Sequence, residues 1–159
     1  MTHESHAGVR RVREALEDLG FEARIVELER TARSAAEAAD ALGVRVEQIV
    51  KSLVLRGRET GSPVLVLAGG ANRVNEERIS DLVSEPVEMA DAGYVREKTG
   101  FSIGGVPPVG HAERLLTFVD EDLLGEEEVW AAAGHTHVVF GLEPAELVKS
   151  TGGRVGAVK

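Results

Sequence analysis

Two runs decide the fold: Ile49-Val50-Lys51-Ser52-Leu53-Val54-Leu55 and Pro63-Val64-Leu65-Val66-Leu67-Ala68. In the second, apolar side chains occupy both alternating faces, which an extended strand adopts when both faces are covered, so it belongs in the middle of a sheet. The first run also reads as a strand, but with a charge inside it. Ile49, Lys51, Leu53 and Leu55 share one face, and Val50, Ser52 and Val54 share the other. A lysine is thereby set among three large aliphatic residues.

Upstream of this pair, Val9, Val12, Ala15, Leu16 and Leu19 recur at helical spacing until Gly20. Residues 1–7 are expected to form a loosely ordered terminus, and residues 21–28 a first strand. Ser34-Ala35-Ala36-Glu37 is a capping box, opening a helix that Gly43 ends, and a short turn over 46–48 leads into the lysine strand. Downstream, residues 75–83 read as a helix capped by Asn75, and Asp91 caps another to Thr99. Between them, 87–89 is a short strand. Residues 115–119, 129–133 and 137–142 read as strands, with the acidic stretch 120–128 as a solvated connection. Pro144 starts a helix to residue 150, and 154–158 closes the chain as a strand. Seven or eight short strands with irregularly interspersed helices define an α+β class with a mixed sheet, not a βαβ array.

The chain has 159 residues, which suits one domain over 1–159. It has no cysteine, which removes disulfides, thiol nucleophiles and zinc fingers together. Its longest apolar runs are about five residues against the roughly 20 of a membrane helix, and Met1-Thr2-His3-Glu4-Ser5-His6 lacks a signal-peptide layout. A cytoplasmic protein without membrane contact is the expectation. The net charge of −9 argues against broad, sequence-independent nucleic-acid binding. That charge is concentrated: residues 81–159 hold 14 acidic and 6 basic side chains, whereas residues 1–80 hold 13 and 12. Of the 18 basic residues only Lys51, Lys98, Lys149 and Lys159 are lysine.

Lys51 is the first chemical candidate, because an ammonium among apolar neighbours without a partner loses hydration. Arg stays charged in such a place, whereas Lys can use it, so lysine in an arginine-rich chain is informative. The competing reading is a lysine near a strand end whose stem lies along apolar neighbours. The segment Gly100-Phe101-Ser102-Ile103-Gly104-Gly105-Val106-Pro107-Pro108-Val109-Gly110-His111 is the second candidate. Gly104 and Gly105 allow backbone to approach a ligand, and Pro107 and Pro108 stiffen the rest of the segment. Rigid, aimed N–H groups suit a developing oxyanion; a purely structural connection with two tight turns is the alternative. The segment is neither a P-loop nor a dinucleotide fingerprint. His111, His135 and His137 are three imidazoles that a zinc site could use. No H-E-x-x-H accompanies them, so neither a metal nor a cofactor is expected. No G-x-S-x-G elbow is present, and Ser34 reads as a helix cap, not a nucleophile.

Three blocks stand in order along the chain: Ala36-Glu37-Ala38-Ala39 with Leu42-Gly43-Val44 and Gln48 through Val54; Thr99 through His111; and Ala133-Gly134 with Leu142-Glu143-Pro144-Ala145-Glu146-Leu147. Together they resemble the YbaK/EbsC family, aminoacyl-tRNA deacylases related to the editing domain of bacterial prolyl-tRNA synthetases. The resemblance spans roughly residues 8–158. It implies a curved, partly barrel-like mixed sheet of about seven strands with flanking helices, and a pocket between the lysine strand and the Gly/Pro loop. By the same resemblance Lys51 is the residue required for ester hydrolysis, binding and polarising the aminoacyl group or the terminal ribose or phosphate. The family's G-x-x-x-P loop falls on Gly104, Gly105, Val106, Pro107 and Pro108 and holds the aminoacyl-adenosine, with amides near Gly104 and Gly105 on the oxyanion. Thr31 to Ser34 would form pocket wall, and Gly134 and His135 would border the substrate. Many members continue after Ala-Gly with a basic residue and, later, an acidic or small one. Here the run is His135-Thr136-His137-Val138-Val139-Phe140, apolar near Val139, so cysteine, alanine, serine, threonine and proline esters all stay open.

The function so implied is freestanding trans-editing of mischarged aminoacyl-tRNA, with tRNA-Pro first among the acceptors. The alternatives are an eroded module that binds an aminoacyl-adenylate or nucleotide-like ligand, and a metallohydrolase built on the histidines. The near-neutral first half, with Arg10, Arg11, Arg13, Arg33, Arg56, Arg58 and Arg73, is where the RNA 3′ end is expected to approach. Contact of that kind is weak, salt-sensitive and one-sided, and a synthetase or an elongation factor would assist it. Monomer and homodimer stay open.

Overall fold

The computed structural model describes residues 3–22 and 24–159. Helix α1 (His3–Asp18) begins earlier than the apolar spacing indicated, and Met1 and Thr2, expected in a loose terminus, lie outside the described residues. Strand β1 (Arg24–Glu27) and helix α2 (Ala35–Leu42) come after it. Ser34 caps α2 by accepting from the Glu37 amide, and Gly43 ends it at φ +71°, a conformation that glycine adopts without steric cost. A 3₁₀ turn (Val46–Gln48) leads into β2 (Val50–Gly57), which turns back into β3 (Pro63–Gly69). Helix α3 (Glu76–Val83), strand β4 (Val87–Met89) and helix α4 (Ala92–Thr99) come next. Asn75 and Asp91 cap the two helices through side-chain oxygens, which supply acceptors for otherwise unpaired first-turn amides. After the Gly/Pro loop come β5 (Leu116–Asp120), a 3₁₀ turn (Glu121–Gly125), β6 (Val129–His135), β7 (Val138–Leu142), α5 (Pro144–Thr151) and β8 (Arg154–Gly156).

The strands form two sheets, not one. The larger has the order β4-β2-β3-β5-β8, and the smaller β1-β7-β6. β3 is the middle strand of the larger sheet, antiparallel to β2 and parallel to β5. Its residues from Val64 to Ala68 are all at most 3% exposed. Each such fully buried Val or Leu contributes about 1.5–3 kcal/mol of transfer free energy. The alternation read from sequence is kept: Leu65 and Leu67 enter the core between the sheets, while Val64, Val66 and Ala68 pack beneath α3. In β2, Val50 and Val54 take the first side and Leu55 the second.

The expected partly closed barrel is corrected by the way the sheets meet. A single parallel bridge, Ile49 to Trp130, joins the start of β2 to β6. Beyond it no backbone pairing joins the two strands among the described residues. β6 changes register between Ala132 and His135, and a bulge of this kind bends and twists its strand. Neighbouring Gly134, at φ +93°, sits so close to α1 that a Cβ there would meet the Gly8 backbone at 2.8 Å. The cylinder therefore stays open on one side.

A second correction concerns the acidic stretch 120–128. Asp120 is only 1% exposed, and Leu123 is fully buried in the adjoining turn. The Asp120 carboxylate accepts from the Gly69 amide (2.9 Å), Asn72 Nδ2 (2.7 Å) and the Asp122 amide (3.0 Å). Those donors are what make burial of the charge tolerable.

Candidate functional site

The opening between the sheets is a cavity of about 280 Å³. Residues 51–53 of β2 form one wall; Ile103, Gly104 and Val106 of the Gly/Pro loop form another. Ala131, Ala132 and His135 of β6 stand opposite, with Thr136 and Val139, and Arg33, Ser34 and Ala35 at the start of α2 close the remaining side. The lining is mostly small and aliphatic. Two buried side-chain polar atoms lack a protein partner among the described residues, Ser52 Oγ and Trp130 Nε1, and both residues line this cavity. Orphaned polar atoms are rare in folded proteins and call for a ligand or water.

Lys51 is partly buried, but not without a partner. Its Nζ donates to the backbone carbonyl of Asn72, in the turn after β3. That turn is tightly built. The Gly70 amide donates to the Ile49 carbonyl at 2.7 Å, and a Cβ on Gly70 would lie 2.4 Å from the Val46 carbonyl oxygen, so only glycine fits. The Asn72 side chain bridges Asp120 and Asp122, at 2.7 and 2.8 Å. The Asp122 carboxyl is held below its ordinary value by the Asn72 hydrogen bond first and by Lys159, 3.0 Å away, second.

The Gly/Pro loop is rigid by construction. Gly104 has φ +91°, and the Gly105 amide donates to the Ser102 carbonyl at 3.0 Å. The Gly105 N–H is thus engaged within the loop, whereas Ile103, Gly104 and Val106, which line the cavity, have no hydrogen bond from their amides to the protein among the described residues. Gly105 packs on the His135 backbone, where a Cβ would come within 3.1 Å. Pro107 and Pro108 are buried under the loop and do not line the cavity. Arg11 holds the loop's start: its Nη2 donates to the Gly100 carbonyl at 2.9 Å, and its guanidinium lies 4.3 Å from the centre of the Phe101 ring. At the far end His111 Nε2 meets the Pro107 carbonyl at 2.6 Å. A carbonyl only accepts, so Nε2 carries the hydrogen. Burial pushes the His111 ring below its ordinary value, partly opposed by this hydrogen bond.

The remaining expected residues are spread around and behind the cavity. Ser34 Oγ accepts from the Glu37 amide as a helix cap while its residue borders the cavity. Thr31 lies just outside, its hydroxyl 3.4 Å from that of Thr136, and the Ala32 amide ties the same segment to the Thr136 carbonyl. Gly134 lies behind the wall against α1. The three histidines do not converge. His135 and His137 stack edge to face with centroids 4.2 Å apart, and His111 lies against Phe101. Among the described residues no group of three or more His, Asp or Glu is placed to hold a metal ion. Arg33 stands at the cavity, but three arginines expected to face RNA have other contacts: Arg11 as above, Arg56 over Tyr94, and Arg58 with Glu88.

Asn72 and Asp120 are the residues that sequence reading missed. The signal for the first was present in Gly69-Gly70-Ala71-Asn72, a turn directly after the central strand. The second was hidden in a run of acids that looked solvated.

Lys51 and the Gly/Pro loop thus line one small cavity in an open two-sheet α+β frame. Residues 29–150 match the model of the aminoacyl-tRNA editing domain. The chain belongs to this family, the YbaK/EbsC group identified from its motifs. A solved structure of a candidate trans-editing enzyme for prolyl tRNA synthetase is 48% identical, covers 96% of both chains and superposes with a TM-score of 0.90. The chain is also 26% identical to the candidate Cys-tRNA(Pro)/Cys-tRNA(Cys) deacylase EbsC of Enterococcus faecalis, over 79% of this chain and 76% of that one. It is 36% identical to a stretch of the proline–tRNA ligase of Maridesulfovibrio salexigens, which covers 64% of this chain and 18% of the ligase. Among the described residues no helix is long and apolar enough to cross a membrane.

Proposed function

We propose that the protein is a freestanding, cytoplasmic trans-editing hydrolase that removes the wrong amino acid from aminoacyl-tRNA, with tRNA-Pro the first acceptor to test. The observation that carries this reading is that Lys51 and Gly104 border one small cavity in a chain of the editing family. The names of its relatives, a Cys-tRNA deacylase and prolyl-tRNA ligases, support the same substrate class.

Lys51 acts as a fixed positive charge that binds and polarises the aminoacyl group or the terminal ribose or phosphate. Water adds to the ester carbonyl carbon, and the negative charge that develops on the carbonyl oxygen faces the Gly104 amide and Lys51. Donors pre-aimed at that oxygen are worth about 10²–10³ in rate each. The acyl C–O bond then breaks, giving free amino acid and a tRNA with its ribose hydroxyl restored. The neighbouring ribose hydroxyl passes the proton from the attacking water to the departing oxygen, and no protein base is assigned. The small aliphatic lining, with Val139 in it, favours a short side chain, and Ser52 and Trp130 offer polar contacts. A carboxyl-terminal half rich in acids limits RNA contact to the 3′ end, so a synthetase or elongation factor assists delivery.

The test is release of labelled amino acid from tRNA-Pro charged with alanine, cysteine, serine, threonine or proline. Release from at least one ester is expected, together with its loss in Lys51→Ala. Background release from every ester by both proteins would overturn the reading.

A further inference from the structure

Asp120 is a buried carboxylate, 1% exposed, that the proposed chemistry does not touch. It lies at the end of β5, two strands away from β2, yet every hydrogen bond it makes shapes the ground on which Lys51 rests. Oδ2 takes the Gly69 amide and Asn72 Nδ2, and Oδ1 takes the Asp122 amide. The same Asn72 turns its backbone carbonyl to Lys51 Nζ. From this chain of contacts we infer that Asp120, acting through Asn72, is a positioning residue that fixes the Lys51 ammonium before substrate arrives. The inference rests on the reading of Lys51 as the central residue of the site.

The physical case has three parts. A lysine side chain has four rotatable bonds, and holding it in one place costs side-chain entropy. A carbonyl that accepts one of its three N–H donors meets that cost in the free protein and leaves two donors for the substrate. Asn72 is only partly buried and its turn could take other shapes; the Asp120 bond, with Asp122 as second acceptor, selects the shape in which the carbonyl faces Lys51. The anchoring charge is itself fixed, because three donors surround it and solvent is excluded.

Two variants of the full chain, Asp120→Asn and Asn72→Ala, test the inference. The first places an amide NH₂ among donors; the second cuts the tie while retaining the carbonyl at a position whose side chain is not in a core, so it keeps the test valid if the first misfolds. Brief acetic anhydride labelling, read by mass spectrometry, compares Lys51 with Lys98 and Lys149 in the same molecule. Release of Lys51 from its anchor predicts a several-fold rise in its relative labelling in both variants. At saturating mischarged tRNA-Pro, deacylation is expected to slow about tenfold through misplacement of the ammonium, with KM changed less than about twofold because ground-state binding is retained. A merely structural role would lower the melting temperature and leave the labelling ratio and the kcat-to-KM split as in wild type; that result overturns the inference. If labelling changes while Lys51→Ala deacylates as well as wild type, the anchor stands and the catalytic reading of Lys51 falls.

Discussion

At residues 55 and 56 strand β2 is paired on both sides, by β3 and β4; over residues 51–53 it is paired by β3 alone. The two stretches differ little in composition, since each carries one leucine and one cation. In the first, Leu55 is completely buried, and just before it the Val54 carbonyl takes the Ala90 amide. In the second, the neighbouring strand on the open side is β6, which packs near β2 but pairs with this segment through backbone only at the Ile49–Trp130 bridge. This fold therefore makes its site by withholding a strand partner. One half of β2 holds the sheet together, and the other lines the cavity with its lysine.

That division of labour is tested most directly at Lys51. Lys51→Ala is expected to reduce kcat/KM for deacylation by about 10²–10³, with a melting temperature close to wild type, as single-turnover assays and thermal unfolding would register. Leu55→Ala, four residues away, is expected to do the reverse. It should cost about 2–5 kcal/mol of stability, measured by urea unfolding, while activity per folded molecule is retained. If Lys51→Ala destabilised as much as Leu55→Ala, the division of β2 would be false.

Gly105→Ala probes the same contrast from the opposite wall. The new methyl would press on the His135 backbone at 3.1 Å, shifting the loop and slowing deacylation by about tenfold, with a small change in melting temperature. The smallest effect is one of pH. The folded protein holds the His111 ring below its ordinary value, mainly through burial, whereas the unfolded chain takes up a proton near pH 6.5. The unfolded state therefore binds more protons as the pH falls below about 6.5, and stability contributed by neutral His111 is complete above that pH and lost below it. Melting curves between pH 8 and pH 5 should show a decline that is shallower in His111→Gln; equal declines would remove His111 as its source.

Local pattern made much of this legible. β3 is central because Val64 to Ala68 are apolar on both faces, and the caps at Ser34, Asn75 and Asp91 sit where their residue types indicated. Lys51 and the Gly/Pro loop stood out because their residue types are costly or restrictive where they occur. Relations between distant segments could not be read. Asp120 and Asn72 are 48 residues apart, and nothing near either one in sequence distinguishes a buried acid from a solvated one. The division into two sheets depends on a register change in β6 and on a glycine contact with α1, both products of packing. The family resemblance placed the loop as a whole at the substrate, but not that the Gly105 amide is engaged by Ser102.

The open stretch of β2 also bears on how the molecule behaves in a crowded solution. A bare strand edge is a template on which another chain can build, and proteins protect such edges with charge and short length. Here the gap covers residues 51–53, closed at one end by the Trp130 bridge and at the other by β4, with a cation inside it. A stranger's strand would find too few bonds there to set a register. The same geometry that opens the cavity leaves this stretch of β2 too short and too charged to recruit a second strand.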